Sequence, residues 1–229
     1  MLSHDIRNPL NALMGVAQLL DRSDLAEPQR RLVRLLKSSS ENMLNLLNHV
    51  LDLSKAESSS FALVETPFSL ADVVDDAMST FDAAAREKGL TIRSSIAESV
   101  PPSLSGDPVA LRQILTNLVG NAVKFTAAGE VTLTVETKQL GTDGVTLAFA
   151  VSDTGIGIAP DIIDRIFNEF TQASYETAIR FGGSGLGLTI TRRLLGLYGS
   201  SVQVESVPGV GSTFSFDLRL PIPSSAQTF

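Results

Sequence analysis

The sequence contains no cysteine, which excludes disulfide frameworks, thiolate metal sites and zinc fingers. No apolar run approaches the roughly 20 residues of a membrane-spanning helix, and the first ten residues lack the basic-then-apolar order of a signal peptide. We therefore expect a cytoplasmic segment without membrane contact. Because the chain begins only three residues before His4, we also expect a piece of a longer protein, which can still be membrane-anchored upstream.

Basic residues are also in short supply. The chain has 18 Lys and Arg against 25 Asp and Glu, and the net charge of −7 argues against a nucleic-acid-binding protein. The acidic excess lies beyond residue 58, since Met1–Ser58 holds 7 basic and 7 acidic residues. With 229 residues, 43% of them hydrophobic, the chain is long enough for two modest domains.

Two stretches near the N-terminus repeat apolar residues at alternating steps of three and four, the pattern of two amphipathic helices. The first seam is Leu2, Ile6, Pro9, Leu13, Val16 and Leu20, and the second is Leu32, Leu36, Ser39, Met43, Leu46, Val50 and Leu53. A polar turn, DRSDLAEP, separates them, with Pro28 near the start of the second helix. Because two helices bury two such stripes poorly, we predict a homodimer whose paired hairpins form a four-helix bundle.

Beyond residue 58 the pattern changes to strands mixed with helices, which predicts an α/β sandwich with helices on one face of a mixed sheet. The predicted strands are 61–65, 91–96, 131–138, 145–152, 201–207 and 212–220, and the predicted helices are 70–88, 108–125, 160–166 and 186–198. The predicted fold class is therefore α+β. Its domains are a hairpin at 1–58, a sandwich at 59–221 and a C-terminal linker at 222–229.

A histidine motif, SHDIRNPL, lies in the first predicted helix at Ser3–Leu10. His4 lies about 200° around the helix axis from both Leu2 and Ile6, so its imidazole points away from the seam. A largely neutral imidazole has a lone pair that can attack a phosphorus atom. Asp5 can fix the tautomer of the ring. Asn8, one turn later on the same face, can position either an incoming aspartyl phosphate or a hydrolytic water molecule.

A second motif, NLVGNAVKFT at Asn117–Thr126, places Asn117 and Asn121 four residues apart on one helix face. Lys124 follows three residues later, so two amides and an ammonium project towards one place. An amide oxygen is a suitable Mg²⁺ ligand when phosphate oxygens and water complete the octahedron.

Two glycine motifs complete the set. In DTGIGI, at Asp153–Ile158, the aspartate follows an apolar strand, where its carboxylate can accept a hydrogen bond from the exocyclic amine of adenine, and Gly155 and Gly157 turn the chain. In GGSGLGL, at Gly182–Leu188, backbone N–H groups at a helix start can face phosphates, and Arg180 just before it is a candidate phosphate cation. The candidate residues of this loop are Gly183, Ser184, Gly185, Leu186 and Gly187.

In this order and spacing the four motifs resemble the catalytic core of sensor histidine kinases, a phosphoacceptor hairpin followed by a Bergerat-type ATP-binding domain. The resemblance runs from about Leu2 to Leu220. It implies ATP and Mg²⁺ as cofactors, His4 as the phosphoacceptor and Asn121 as the metal ligand. It also implies transfer of the phosphoryl group to an aspartate on the receiver domain of a response regulator, with Asn8 serving a reverse, phosphatase-like reaction.

Two alternatives stay open. The first is an ATP hydrolase, since the resemblance extends to ATP hydrolases of the same fold. Those relatives place a glutamate four residues before the metal-binding Asn, where this chain has Asn117, a poor general base. A non-catalytic scaffold would hold the receiver domain without transferring phosphate. Phe167 and Phe170 lie in a segment that resembles the Phe-bearing box and mobile ATP lid of the family. Aromatic residues are often core residues, but here we predict a docking surface for the hairpin. For His49 we predict a structural role.

Overall fold

A computed structural model of the chain describes residues 2–21, 23, 25–33, 36, 40, 63–163, 165–167 and 187–223. The N-terminal part is helical, with α1 at Leu2–Asp21 running through Pro9 and α2 including residues 27–33. The later helices are α3 Leu70–Ser79, α4 Asp82–Lys88, α5 Pro108–Phe125, α6 Pro160–Ile163 and α7 Gly187–Leu197. The strands are β1 Thr66–Ser69, β2 Thr91–Ile96, β3 Ser103–Gly106, β4 Glu130–Leu140, β5 Gly144–Asp153, β6 Gln203–Val207 and β7 Gly211–Pro221.

The main sheet has five strands in the order β2-β4-β5-β7-β6. Strand β2 runs parallel to β4, and the other three pairs are antiparallel. Strands β1 and β3 form a separate antiparallel pair. A helical N-terminal region followed by an α/β domain with a mixed sheet confirms the predicted fold class. None of the helices among the described residues is long and apolar enough to span a membrane.

The core lies between one face of the sheet and the helices. In β5 the alternate residues Val145, Leu147, Phe149 and Val151 are fully buried, while the residues between them are half-buried. This period of two places one apolar row against α5, whose own buried residues recur at helical spacing. The Phe149 ring also stacks on the Phe216 ring of β7, with centroids 4.8 Å apart.

The single helix predicted at 70–88 is wrong, because the chain breaks between α3 and α4. The hydroxyls of Ser79 and Thr80 donate to the Asp76 carbonyl at 3.2 and 2.9 Å, a local alternative to continuing the helix. The break turns the Phe81 ring onto α5, where a Cβ built on Gly120 would lie 2.9 Å from it. Local hydroxyl hydrogen bonds and the packing of the Phe81 ring on α5 thus coincide at the end of α3.

The strand predicted at 61–65 is wrong in its bounds, since the strand of this region is β1 at Thr66–Ser69. Its partner β3 was not predicted. Strand β3 reads SLSG, so its fully buried Leu104 stands alone and produces no alternating pattern. Helix α6 ends at Ile163 rather than at residue 166, and β6 begins at Gln203 rather than at 201. The boundary proposed at 58 and 59 lies outside the described residues.

Asp107 anchors the start of α5. Its Oδ1 accepts hydrogen bonds from the backbone N–H groups of Val109 and Ala110 at 3.0 and 2.9 Å, and Pro108 occupies the first helical turn. Its Oδ2 accepts a third from the N–H of Val64 at 3.1 Å. One carboxylate thus ties the segment before β1 to the beginning of α5.

We expect Asp107→Ala to lower the free energy of unfolding by about 1–2 kcal/mol, because the first turn of α5 loses its side-chain acceptor. Urea denaturation followed by circular dichroism measures the change. Asp107→Asn should retain most of the stability, since asparagine also caps helices. Asp75→Ala on the exposed side of α3 is the control and should cause no loss, and equal losses in both alanine variants would contradict the capping role.

Candidate functional site

The C-terminal end of α5 and the loop after β5 lie side by side, which brings two of the sequence motifs together. The N–H of Ile156 donates to the Phe125 carbonyl at 3.4 Å. A Cβ built on Gly155 would lie 2.7 Å from both the Phe125 carbonyl oxygen and Oδ1 of Asp153. Only glycine therefore fits between the helix end and the carboxylate. Asn121 and Lys124 belong to this same end of α5.

Asp153 ends β5, where it is paired with Val131 of β4 on one side and Ser212 of β7 on the other. Its Oδ1 accepts a hydrogen bond from the N–H of Gly155 at 2.8 Å, and the backbone of Ser212 also bonds to the carboxyl group. Burial raises the pKa of Asp153, and these two hydrogen bonds oppose the rise. The result is a fixed, partly desolvated acceptor at the end of a strand.

The rest of this loop is held on the β6–β7 hairpin. The N–H of Ile158 donates to Oγ of Ser206 at 2.7 Å, and that hydroxyl donates to the Gly211 carbonyl at 3.0 Å. Gly157 has a φ of 66°, and a Cβ there would overlap the Val207 carbonyl oxygen. The predicted turn at Gly155 and Gly157 is therefore a tight loop with fixed neighbours on both sides.

Asn117 uses its side-chain amide to join α5 to the start of α7. Its Nδ2 donates to the Gly187 carbonyl at 3.1 Å and to Oγ1 of Thr191 at 3.4 Å, while its Oδ1 accepts from Nε2 of Gln113 at 3.1 Å. The half-buried Asn121 has no hydrogen-bond partner among the residues that the structure describes. Of the two amides, that of Asn121 is the one left for a ligand.

Lys124 brings a positive charge to the same end of α5. Burial lowers the pKa of Lys124 from its usual value. The ammonium lies 4.7 Å from the centroid of the Phe125 ring, within the range of a cation–π interaction. Because the surroundings are less polar than water, an anion near this ammonium would be attracted more strongly than at an open surface.

Several predicted site residues fall outside the described part of the chain. These are Arg180, Gly183, Ser184, Gly185 and Leu186, together with Phe170 and His49. His4, Asp5 and Asn8 lie in the first two turns of α1, but only the helical backbone is described there. Their roles stay predictions.

Two predicted positions, on either side of residues 168–186, belong to the described part of the chain. Gly187 begins α7, as the glycine motif predicts for the residue at a helix start. Phe167 is half-buried and packs against the core, and its carbonyl accepts from Oγ1 of Thr189 at 3.1 Å. The core interpretation of Phe167 therefore holds, and the docking interpretation stays a prediction.

Sequence reasoning missed three residues that hold the site together: Asp107, Ser206 and Lys88. An Asp-Pro pair before an apolar helix is a helix-start signal that identifies the first. Lys88 contacts carbonyls 35 to 38 positions later, and Ser206 accepts from Ile158, 48 positions earlier, so no local pattern predicts these contacts.

Two family models match the chain. Residues 1–59 match the His Kinase A (phospho-acceptor) domain. Residues 106–222 match the histidine kinase-, DNA gyrase B- and HSP90-like ATPase domain. The second match covers Asn117, Asn121, Lys124, Asp153 and the glycine loop before α7.

Curated relatives match over almost the whole chain. The sensor protein GacS of Pseudomonas syringae pv. syringae is 39% identical over 220 residues, covering 96% of this chain and 24% of the relative. The signal transduction histidine-protein kinase BarA of Escherichia coli strain K12 is 38% identical over 221 residues, with the same coverage. The autoinducer 2 sensor kinase/phosphatase LuxQ of Vibrio parahaemolyticus is 43% identical over 216 residues, covering 93% and 25%. The chain thus spans about a quarter of the length of these relatives.

Two solved structures share the fold of this chain. Full-length ShkA in complex with AMPPNP superposes with a TM-score of 0.76 at 35% identity, covering 98% of this chain and 46% of that one. The Acinetobacter baumannii histidine kinase AdeS superposes with a TM-score of 0.62 at 22% identity, covering 94% and 96%, a likeness of fold alone.

Proposed function

We propose that this chain transfers the γ-phosphoryl group of ATP to its own His4. The premise is its family: the chain belongs to the histidine kinase-, DNA gyrase B- and HSP90-like ATPases and is a histidine kinase catalytic core. The observation that carries the proposal is the junction of α5 with the loop after β5. It holds the Asp153 carboxylate beside the helix end that bears Asn121 and Lys124. The domains that we propose remain 1–58, 59–221 and the linker at 222–229.

Asp153 binds the adenine end of the nucleotide in this proposal. One of its oxygens already accepts from Gly155, and the carboxylate retains lone pairs for the exocyclic amine of the base. Lys124 and Arg180 neutralise phosphate charge. The N–H groups of the loop containing Gly183, Ser184, Gly185, Leu186 and Gly187 bind phosphate oxygens at the start of α7.

Asn121 fits a magnesium ion in the same proposal. Its amide oxygen is a hard ligand, half-buried and without a protein partner among the described residues. Bound Mg²⁺ would neutralise charge on the phosphate oxygens. The side chain of Asn117 is already bonded to Gly187, so it positions α7 rather than coordinating an ion.

His4 provides the nucleophile. One imidazole nitrogen forms the bond to the γ-phosphorus as the bond from phosphorus to the ADP oxygen breaks, and the proton on the other nitrogen is held by Asp5. The product is a phosphoramidate. We propose that it passes the phosphoryl group to an aspartate of a response-regulator receiver domain. We also propose that Asn8 positions a water molecule that hydrolyses this aspartyl phosphate to free aspartate and inorganic phosphate, a phosphatase-like reaction.

We also propose that the chain acts as a homodimer through its helical N-terminus. Within the single chain, Leu13, Val16 and Leu20 of the first predicted seam are 46%, 52% and 40% exposed, whereas Ala17 is fully buried. Because these three large apolar side chains are already about half-buried, each gains about 0.7–1.5 kcal/mol when a partner covers the rest of it, roughly half the value for a fully exposed side chain. A second hairpin provides such a cover, as in a four-helix bundle.

The hydrolase alternative receives no support from the site. A general base must be free to accept a proton from water, and Asn117 neither ionises nor lacks protein partners. The scaffold alternative differs from the kinase in one measurable respect, since a scaffold binds ATP or a receiver domain without becoming labelled.

Incubation of the purified chain with γ-labelled ATP and Mg²⁺ tests the proposal. We expect protein-bound label that is lost in acid and retained in base, because a phosphoramidate hydrolyses in acid whereas a serine or threonine phosphate ester does not. ATP labelled at the α-phosphate is the control and should leave the protein unlabelled. Release of free phosphate without labelled protein would instead indicate the hydrolase.

A further inference from the structure

Lys88, the last residue of α4, contacts the C-terminal end of α5. Its Nζ donates to the carbonyl oxygens of Val123, Lys124 and Thr126 at 2.7, 3.0 and 3.3 Å. An ammonium group has three N–H donors, so the three bonds use its full capacity.

These bonds satisfy carbonyls that a helix end otherwise leaves without partners. The Ala122 carbonyl is bound by the N–H and hydroxyl of Thr126, at 3.1 and 2.7 Å. The Phe125 carbonyl accepts from Ile156, and Lys88 provides the partners of the remaining two. A cation at this position is also favoured by the helix dipole, whose negative end lies at the last turn.

The last turn of α5 is therefore held from two directions. Lys88 binds it from α4, and Ile156, in the loop that carries the adenine-binding Asp153, binds it from the other side. Lys124 has its carbonyl bonded to Lys88 while its side chain is the proposed phosphate cation. A shift of this turn would move Lys124 and Asn121 relative to Asp153.

We propose that Lys88 is a positioning residue for the nucleotide site, which sets the distance between the phosphate- and metal-binding end of α5 and the adenine-binding Asp153. The inference rests on the proposed function. It assigns Lys88 no contact with the nucleotide, since all three of its donors are directed at backbone carbonyls.

A second lysine offers a matched control. Nζ of Lys138, on β4, lies 2.6 Å from a carboxylate oxygen of Asp217, and both side chains are exposed. Exposed pairs of this kind contribute little to stability. Lys88→Met and Lys138→Met remove the same charge and keep a similar chain length, but only the first removes the bonds to α5.

The test compares two ligands by competition against a fluorescent nucleotide, with melting curves recorded for every variant. ATP with Mg²⁺ engages both ends of the site, whereas adenosine engages Asp153 alone. We expect Lys88→Met to weaken ATP·Mg²⁺ about tenfold, through misplacement of α5, and adenosine less than about twofold. Lys88→Arg should recover most of the affinity, and Lys138→Met should match the wild type.

Unchanged ATP·Mg²⁺ affinity in Lys88→Met would overturn the inference. Equal weakening of both ligands would overturn it as well, since a merely structural role lowers both together with the melting temperature. If Lys88→Met does not fold, Lys88→Gln takes its place, since glutamine is uncharged, one atom shorter and retains only two donors. We expect it to weaken ATP·Mg²⁺ less than tenfold but more than it weakens adenosine, and equal effects on the two ligands would overturn the inference. A wild-type chain that fails to bind ATP·Mg²⁺ contradicts the proposed function itself, so the two failures are distinct.

Discussion

Replacing His4 by alanine should abolish the transfer of label from γ-labelled ATP to the protein, while the dissociation constant for ATP changes by less than about twofold. The reason is that the nucleophile and the nucleotide-binding residues belong to different parts of the chain. His4 lies in α1, whereas every residue that we assign to nucleotide binding lies beyond residue 116. Removing the nucleophile therefore removes the bond-forming atom without touching the pocket.

The chain has two histidines, which supplies a control for this experiment. His49→Ala should become labelled as the wild type does, because we assign it no chemical role. Autoradiography of the labelled protein and calorimetric titration with ATP give the two readouts. Acid-labile label that persists in His4→Ala and disappears in His49→Ala would reverse the assignment.

Replacing Asp153 by alanine should weaken ATP binding by about a hundredfold, because the adenine amine loses a charged acceptor in a desolvated place. Guanine has a carbonyl where adenine has its amine, so the wild-type chain should prefer ATP over GTP and the variant should lose that preference. Calorimetric titration with both nucleotides measures the two effects. Asp217→Ala, which removes an exposed carboxylate from β7 of the same sheet, should leave both affinities unchanged.

Because burial raises the pKa of Asp153, the affinity for ATP should also depend on pH. The carboxylate form accepts the adenine amine, so ATP affinity should fall as the pH decreases through this pKa. Because burial raises the pKa, the fall should begin at a higher pH than an ordinary aspartate would give. Asp153→Asn cannot titrate and should lack the dependence. An identical pH profile in the two proteins would contradict the role of Asp153 in adenine binding.

Local sequence patterns were sufficient for much of the fold. The strand at 91–96 and the helix at 108–125 were predicted with the bounds that the structure has. The helix combines apolar residues at helical spacing with Pro108 at its start, a clear start signal. The glycines of DTGIGI also predicted a tight turn beside a strand-end carboxylate. Segments with one apolar residue, such as β3, carried no such signal.

What the sequence determined by itself is the set of chemical groups and their order: an imidazole on a first helix, two amides and an ammonium on a later one, and a carboxylate and glycines at the ends of strands. These follow from residue type and from periodicity within about ten positions. Only the tertiary structure decided which of these groups bond to other protein groups and which are left for a ligand. Residue type and spacing do not separate Asn117 from Asn121, and only the resemblance to the family does. In the structure the side chain of Asn117 bonds to Gly187 of α7, 70 positions away. Lys88 likewise meets its carbonyls only after α4 and α5 have packed, because such long-range hydrogen bonds depend on the fold and not on neighbours in the chain.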